Sequence, residues 1–195
     1  DNIDIVLTEL DALVNVNLKT LIPKKELTSL RIIRLGTSGA SQSNIPLGSL
    51  LLSKTAIGFD NLLHFYPCEE HLDIPFARAL QEQLGLNEHT NRFSTEGFVQ
   101  GITATHPGFY GPQGRRIRMD TQYPDWNQQL ESFDFSGQKI SNLEMETAGI
   151  YGLAAIMGHQ ALSVNAIIAN RKLGAFSEQP NAVVDLMIQK VLNLL

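Results

Sequence analysis

The stretch Leu162 to Ala169, Leu-Ser-Val-Asn-Ala-Ile-Ile-Ala, constrains the fold of this chain more than any other. It is apolar, rich in β-branched residues and short for a helix, so it reads as a strong buried strand. Arg31–Leu35, Leu50–Phe59 and Phe98–Thr105 have the same character. Between them lie segments with helical spacing. Asp1 to Leu13 carries Ile3, Val6, Leu7, Leu10 and Leu13 on one face, with Asp1 placed to cap it. A helix that begins at the first residue suggests that further chain precedes it. Phe76–Leu84 reads as a short amphipathic helix, Leu143–Met157 as a strand end running into a helix, and Asn181–Leu195 as a helix with Val184, Met187, Ile188, Val191, Leu192 and Leu195 inward. Strands alternating with helices predict an α/β fold, and the whole of residues 1–195 reads as one domain.

Composition narrows the function classes. The net charge is -5 and no basic run is present, which argues against nucleic acid as a partner. Cys68 is the single cysteine, so there is no internal disulfide and no Cys/His cluster for zinc. No apolar stretch reaches the length of a membrane span. The expected setting is cytoplasmic, with no membrane partner and no metal.

In α/β sheets ligands collect beyond the carboxyl ends of strands. Four polar segments stand at such places. Arg34-Leu35-Gly36-Thr37-Ser38-Gly39-Ala40 reads as a small-residue turn after a strand, with N–H groups, hydroxyls and a guanidinium suited to phosphate; an ordinary turn fits equally well. Asn142-Leu143-Glu144-Met145-Glu146 offers carboxylates to sugar hydroxyls, or acids to a helix N-terminus. Phe109-Tyr110-Gly111-Pro112-Gln113-Gly114-Arg115 puts a stacking ring, an amide and a guanidinium on one loop, or is a solvated connection within His106–Arg118. Ile168-Ala169-Asn170-Arg171 is a strand exit that says little alone.

Taken together and in this order, the four segments resemble the nucleoside phosphorylase superfamily, over nearly the whole chain. The Arg-x-Gly-Thr-Ser-Gly and Glu-Met-Glu segments mark the superfamily, and the Phe-Tyr-x-x-Gln-x-Arg loop is similar to the uridine phosphorylase type. The resemblance implies a central mixed sheet flanked by helices and phosphorolysis of uridine to uracil and ribose 1-phosphate. No cofactor is implied; inorganic phosphate is a co-substrate. Arg34 and Thr37 would bind phosphate. Glu144, Met145 and Glu146 would hold the ribose. Ser38, Gly39, Phe109, Gln113, Arg115, Ile168 and Arg171 would line the base, with Arg34, Gln113 and Arg115 carrying the catalysis. Relatives acting on purines place an Asp where this chain has Asn170, and Asn cannot act as an acid. The resemblance also implies a homo-oligomer, dimer-based and up to a hexamer, whose neighbouring subunit completes each active site.

The chain departs from the family in three ways. The family's opening strand, phosphate turn and neighbour-reaching His and Arg have no counterpart, so the N-terminal part is expected to be missing. Gly111-Pro112 stands where the family tends to have Pro-Gly, and Gly114 where it commonly has an acid. The alternatives are a purine nucleoside phosphorylase or nucleosidase of the same superfamily, and a catalytically inactive nucleoside-binding protein.

Overall fold

The computed structural model describes residues 2–67, 97–135 and 137–194. The elements run α1 (Asn2–Asn15), β1 (Val16–Asn17), β2 (Ile22–Pro23), β3 (Arg31–Ala40), β4 (Leu50–Gly58), β5 (Val99–Thr105), α2 (Trp126–Ser132), β6 (Asp134–Phe135), β7 (Gln138–Glu144), α3 (Thr147–Ile156), β8 (Gln160–Asn170), β9 (Ala175–Phe176) and α4 (Pro180–Leu192). The expected helix over Phe76–Leu84, the Asp1 cap and Cys68 lie outside the described residues. No described helix is long and apolar enough to cross a membrane.

The α/β expectation holds, and the mixed sheet goes further by curling until it meets itself. Its order is β3-β7-β5-β4-β8, and β8 pairs back to β3. The β3–β8, β4–β5 and β5–β7 pairs are parallel, while β3–β7 and β4–β8 are antiparallel. The middle of β8 is flanked twice, Val164 facing Leu35 on one side and Leu52 on the other. That double pairing explains why Leu162 to Ala169 reads as so strongly buried.

One expectation is corrected here. Residues 36–40 do not leave the strand as a turn; they remain in β3, paired with β8 as far as Asn170, with a register shift between Ser38 and Gly39. A long parallel partner satisfies the backbone, and glycines absorb the irregularity.

Helices cover three sides of this ring. α1 and α3 enclose a core of Leu7, Ala56, Tyr151, Leu153 and Ala154. α4 packs Met187 and Val191 on Leu50, Leu52 and Val164. α2 lays Leu130 on Ile102, Ile140 and Leu143. Tyr151 locks α3 to the sheet. It is 1% exposed, donates to the Ser53 carbonyl at 2.7 Å and accepts from the Ser163 N–H at 2.9 Å. A buried phenol keeps its apolar gain only when its hydroxyl is matched in this way.

Candidate active site

Arg34, near the start of β3, is nearly buried, its side chain 12% exposed. Its Nη1 donates to Asn165 Oδ1 at 2.9 Å and to Ser163 Oγ at 3.3 Å. Its Nη2 donates to Glu146 Oε2 at 2.5 Å and lies 3.2 Å from Glu144 Oε2. The guanidinium rests against Gly36, where an added Cβ would stand 2.5 Å from the Arg34 Cζ. Any side chain at position 36 therefore displaces it.

Glu144 ends β7, and its carboxylate is fully occupied. Oε1 accepts from Thr105 Oγ1 at 2.5 Å. Oε2 accepts from the N–H groups of Glu146 and Thr147 and from Thr147 Oγ1, at 3.0, 2.8 and 2.7 Å. Its charge sits at the N-terminus of α3, where free N–H groups favour an anion. At 4% exposure and with these donors Glu144 braces Arg34 and α3. Glu146 is half-buried and its only described side-chain partner is Arg34. Met145 is half-buried in the bend between the two acids.

A directional hydrogen-bond chain leads inward from Arg34. Asn165 Oδ1 accepts from Arg34, and its Nδ2 donates to Ser53 Oγ at 3.0 Å. Ser53 and Thr103 hydroxyls are 2.5 Å apart, and Thr103 donates to Asn142 Oδ1 at 2.7 Å, so Ser53 must donate to Thr103. Asn142 Nδ2 then donates to Ser38 Oγ at 2.9 Å. Every donor points away from the guanidinium, and the chain leaves the Ser38 proton for another acceptor. Such chains polarise each link in turn. Ser53, Thr103, Asn142, Ser163 and Asn165 were not among the expected site residues. Their signal was present as polar residues at alternate positions of otherwise apolar strands, Ser163 and Asn165 in β8 being the clearest pair.

The second cluster gathers around Gln113. A short 3-10 turn, Gly111–Gln113, buries Gln113 to 3% exposure, while Phe109 and Tyr110 beside it stay exposed. Gly114 ends the turn at φ 66°, where a Cβ would meet Asn127 at 2.7 Å, which accounts for glycine at this position. Gln113 Oε1 accepts from Arg115 Nη1 at 2.6 Å and from Arg171 Nη1 at 3.3 Å. Arg171 Nη2 also donates to the Gln113 carbonyl at 2.5 Å and to Asn127 Oδ1 at 2.8 Å. Trp126 and Asn127 of α2, both unanticipated, hold the loop through the carbonyls of Pro112 and Gly114.

No carboxylate pairs with Arg115 or Arg171 among the described residues. Burial, and then the charge of Arg115, bring Arg171 down to about 10; burial also lowers Arg115. His106 sits beneath, stacked on Phe59 with centroids 4.7 Å apart. Burial holds it at about 4, with both arginines contributing, so it is neutral.

Other expected residues fall differently. Thr37 is exposed, and strand alternation turns it to the face opposite Arg34, so the two do not form one described cradle. Ile168 is half-buried and packs on the α4 cluster. The Phe109 ring carries the Arg115 guanidinium on one face at 3.7 Å, leaving only its other face for a planar ligand. Gly39 abuts Arg171, so β3 runs from one cluster to the other.

Asn170 is turned into the protein. It is 1% exposed, donates to the carbonyls of Gln42 and Ile45 at 3.0 and 2.9 Å, and accepts from the Leu173 N–H at 3.1 Å. Asn170→Asp would set a carboxylate against two carbonyls. We expect it to cost about 2–3 kcal/mol, as for a buried polar group left unsatisfied. Urea unfolding measures this, and the deficit should shrink at acid pH, where the protonated Asp regains one donor.

Comparison with known proteins gives concordant matches. The family model described as Phosphorylase superfamily matches residues 13–194. The chain is 30% identical over 179 residues to a uridine phosphorylase of Thermococcus kodakarensis, and 30% identical over 174 residues to that of Escherichia coli. These alignments take in 90% and 84% of the chain, which spans 62% of the length of each of those two relatives. A Trypanosoma brucei nucleoside phosphorylase whose crystal structure is described as showing uridine phosphorylase activity superposes with a TM-score of 0.77 at 26% identity, over 100% of this chain and 76% of that one. An oomycete uridine phosphorylase from Phytophthora capsici shares the fold, with a TM-score of 0.59 at 19% identity over 96% of this chain and 70% of that one.

Proposed function

This chain belongs to the phosphorylase superfamily, and on that premise we propose that it phosphorolyses uridine, releasing uracil and ribose 1-phosphate. The observation that carries the reading is the division of charge along β3. One end holds Arg34 between two carboxylates; the other holds Arg115 and Arg171 with no described counter-charge, converging on a buried amide.

Cleavage of the glycosidic bond puts positive charge on the sugar and negative charge on the base. Carboxylates and a bound phosphate suit the first, unpaired guanidiniums the second. In this reading Arg34 grips phosphate below C1′, and Glu146 accepts from the ribose 2′-hydroxyl with Met145 beneath the ring. Ser38, whose proton is free, and Gln113 Nε2 donate to the base side. Arg115 takes up the charge that develops on the leaving uracil, with Arg171 holding Gln113 in place. Such groups are preorganised and need no rearrangement as charge shifts. Gly39 and the free face of Phe109 border the base. Phosphate is a co-substrate, and no organic cofactor or metal enters the chemistry. The working form is a cytoplasmic homo-oligomer whose neighbouring subunit completes the site, and residues 1–195 are a single domain.

The test is product release from uridine and from inosine, with and without inorganic phosphate. We expect uracil only when phosphate is present, and little hypoxanthine. Equal rates in phosphate-free buffer would make the protein a hydrolase, and faster hypoxanthine release would make it a purine enzyme.

A further inference from the structure

The buried chain that starts at Arg34 has a direction, and Arg34 sets it. An arginine only donates, so Asn165 must turn Oδ1 to it, at 2.9 Å, and Nδ2 to Ser53 Oγ, at 3.0 Å. The Ser53 proton has one acceptor among the described residues, the Thr103 hydroxyl at 2.5 Å. Thr103 therefore spends its own proton on Asn142 Oδ1, at 2.7 Å. Asn142 lies in β7 between β3 and β5, with Ala40 opposite on one side and Thr103 on the other. With Oδ1 taken by Thr103, it meets Ser38 Oγ through Nδ2, at 2.9 Å. Asn142, Thr103 and Asn165 are 0% exposed, Ser53 1% and Ser38 6%, so the protein and not bulk water fixes the order. Ser38 thus receives a hydrogen bond and keeps its own proton, for which the described residues supply no acceptor.

We propose that Asn142 is a positioning residue for the reaction, holding the Ser38 hydroxyl as a donor to the nucleoside. The inference rests on the phosphorylase reading, from which it takes the place of Ser38 on the base side. The amide gives Ser38 one hydrogen bond and does not take the Ser38 proton while Thr103 occupies Oδ1. Each link polarises the next, so the Ser38 O–H becomes a stronger donor. An aspartate at position 142 has the same shape but, when ionised, only accepts. Two donors, Thr103 and Ser38, favour its ionised form. It would draw the Ser38 proton inward and away from the nucleoside.

A double-mutant cycle tests this with uridine and inorganic phosphate as substrates. Asn142→Asp should lower kcat/KM on the order of 10-fold, about as much as Ser38→Ala, as for one lost hydrogen bond. In the Ser38→Ala background Asn142→Asp should cost nothing further, because there is no Ser38 proton left to withdraw. A residue that only supports the fold would lower activity equally in both backgrounds. Thr103→Val adds no charge and serves if Asn142→Asp does not fold. It removes the donor that fixes the amide, and its smaller loss should likewise vanish in Ser38→Ala. Full activity in Ser38→Ala or in the position 142 and 103 variants, or losses that add across the cycle, would overturn the proposal while the phosphorylase reading stands. A wild-type protein that releases no uracil from uridine with phosphate would overturn that reading, and the proposal with it.

Discussion

Arg34→Met is expected to lower kcat/KM for phosphorolysis roughly 100- to 1,000-fold, the usual loss when one preorganised charge-stabilising donor is removed. Among the described residues Arg34 is the one guanidinium placed between the two acids and the buried Asn165. Its loss also strands the charge of Glu144, whose side chain is 1% exposed, so the Met variant should unfold at lower urea as well. Arg34→Lys separates the two effects. A lysine keeps the charge beside Glu144 but lacks the planar fork that suits phosphate. It should retain most of the stability while the KM for phosphate rises. Steady-state kinetics with varied phosphate, beside urea unfolding of each variant, checks this. A Met variant with normal turnover would remove Arg34 from the phosphate site.

Arg115→Leu should fall about as far, roughly 100- to 1,000-fold, and in kcat more than in KM, because its contact strengthens as the uracil anion forms. A glutamine amide can offer a base edge both a donor and an acceptor. The structure alters that, since Oε1 already accepts from Arg115 and Arg171. Only Nε2 is free, so this cluster offers donors. Uracil suits it with two carbonyls. Cytosine turns an amino group toward those donors, and a site built on hydrogen bonds rejects such a mismatch by about 10⁴-fold. Cytidine should therefore be a very poor substrate. Competitive assays of uridine and cytidine on wild type and Arg115→Leu decide the matter. Near-normal kcat in the variant, with cytidine still refused, would mean that other residues read the base.

Much of this was legible in the chain. Apolar runs at Leu50 to Phe59, Phe98 to Thr105 and Leu162 to Ala169 gave strands β4, β5 and β8, because a buried strand needs little beyond continuous apolar character. Helical spacing located α1 and α4 within a few residues. Arg34, Glu146, Gln113, Arg115 and Arg171 stood out as chemical groups beside strand ends, which is a local property.

What the sequence could not determine depends on partners distant in the chain. Gly36 to Ala40 look like a turn locally, but β8, over a hundred residues later, holds them in the strand. Glu144 and Glu146 are two residues apart and chemically identical. Burial beside Thr105 and Thr147 made one a brace, and exposure beside Arg34 left the other free to meet a ligand. Asn170 reads as a base-selecting position, yet the carbonyls of Gln42 and Ile45 turn it inward. A side chain's chemistry is set by its residue type, but which of its hydrogen bonds remain unspent is decided only when the sheet closes and brings the competing partners within 3 Å of it.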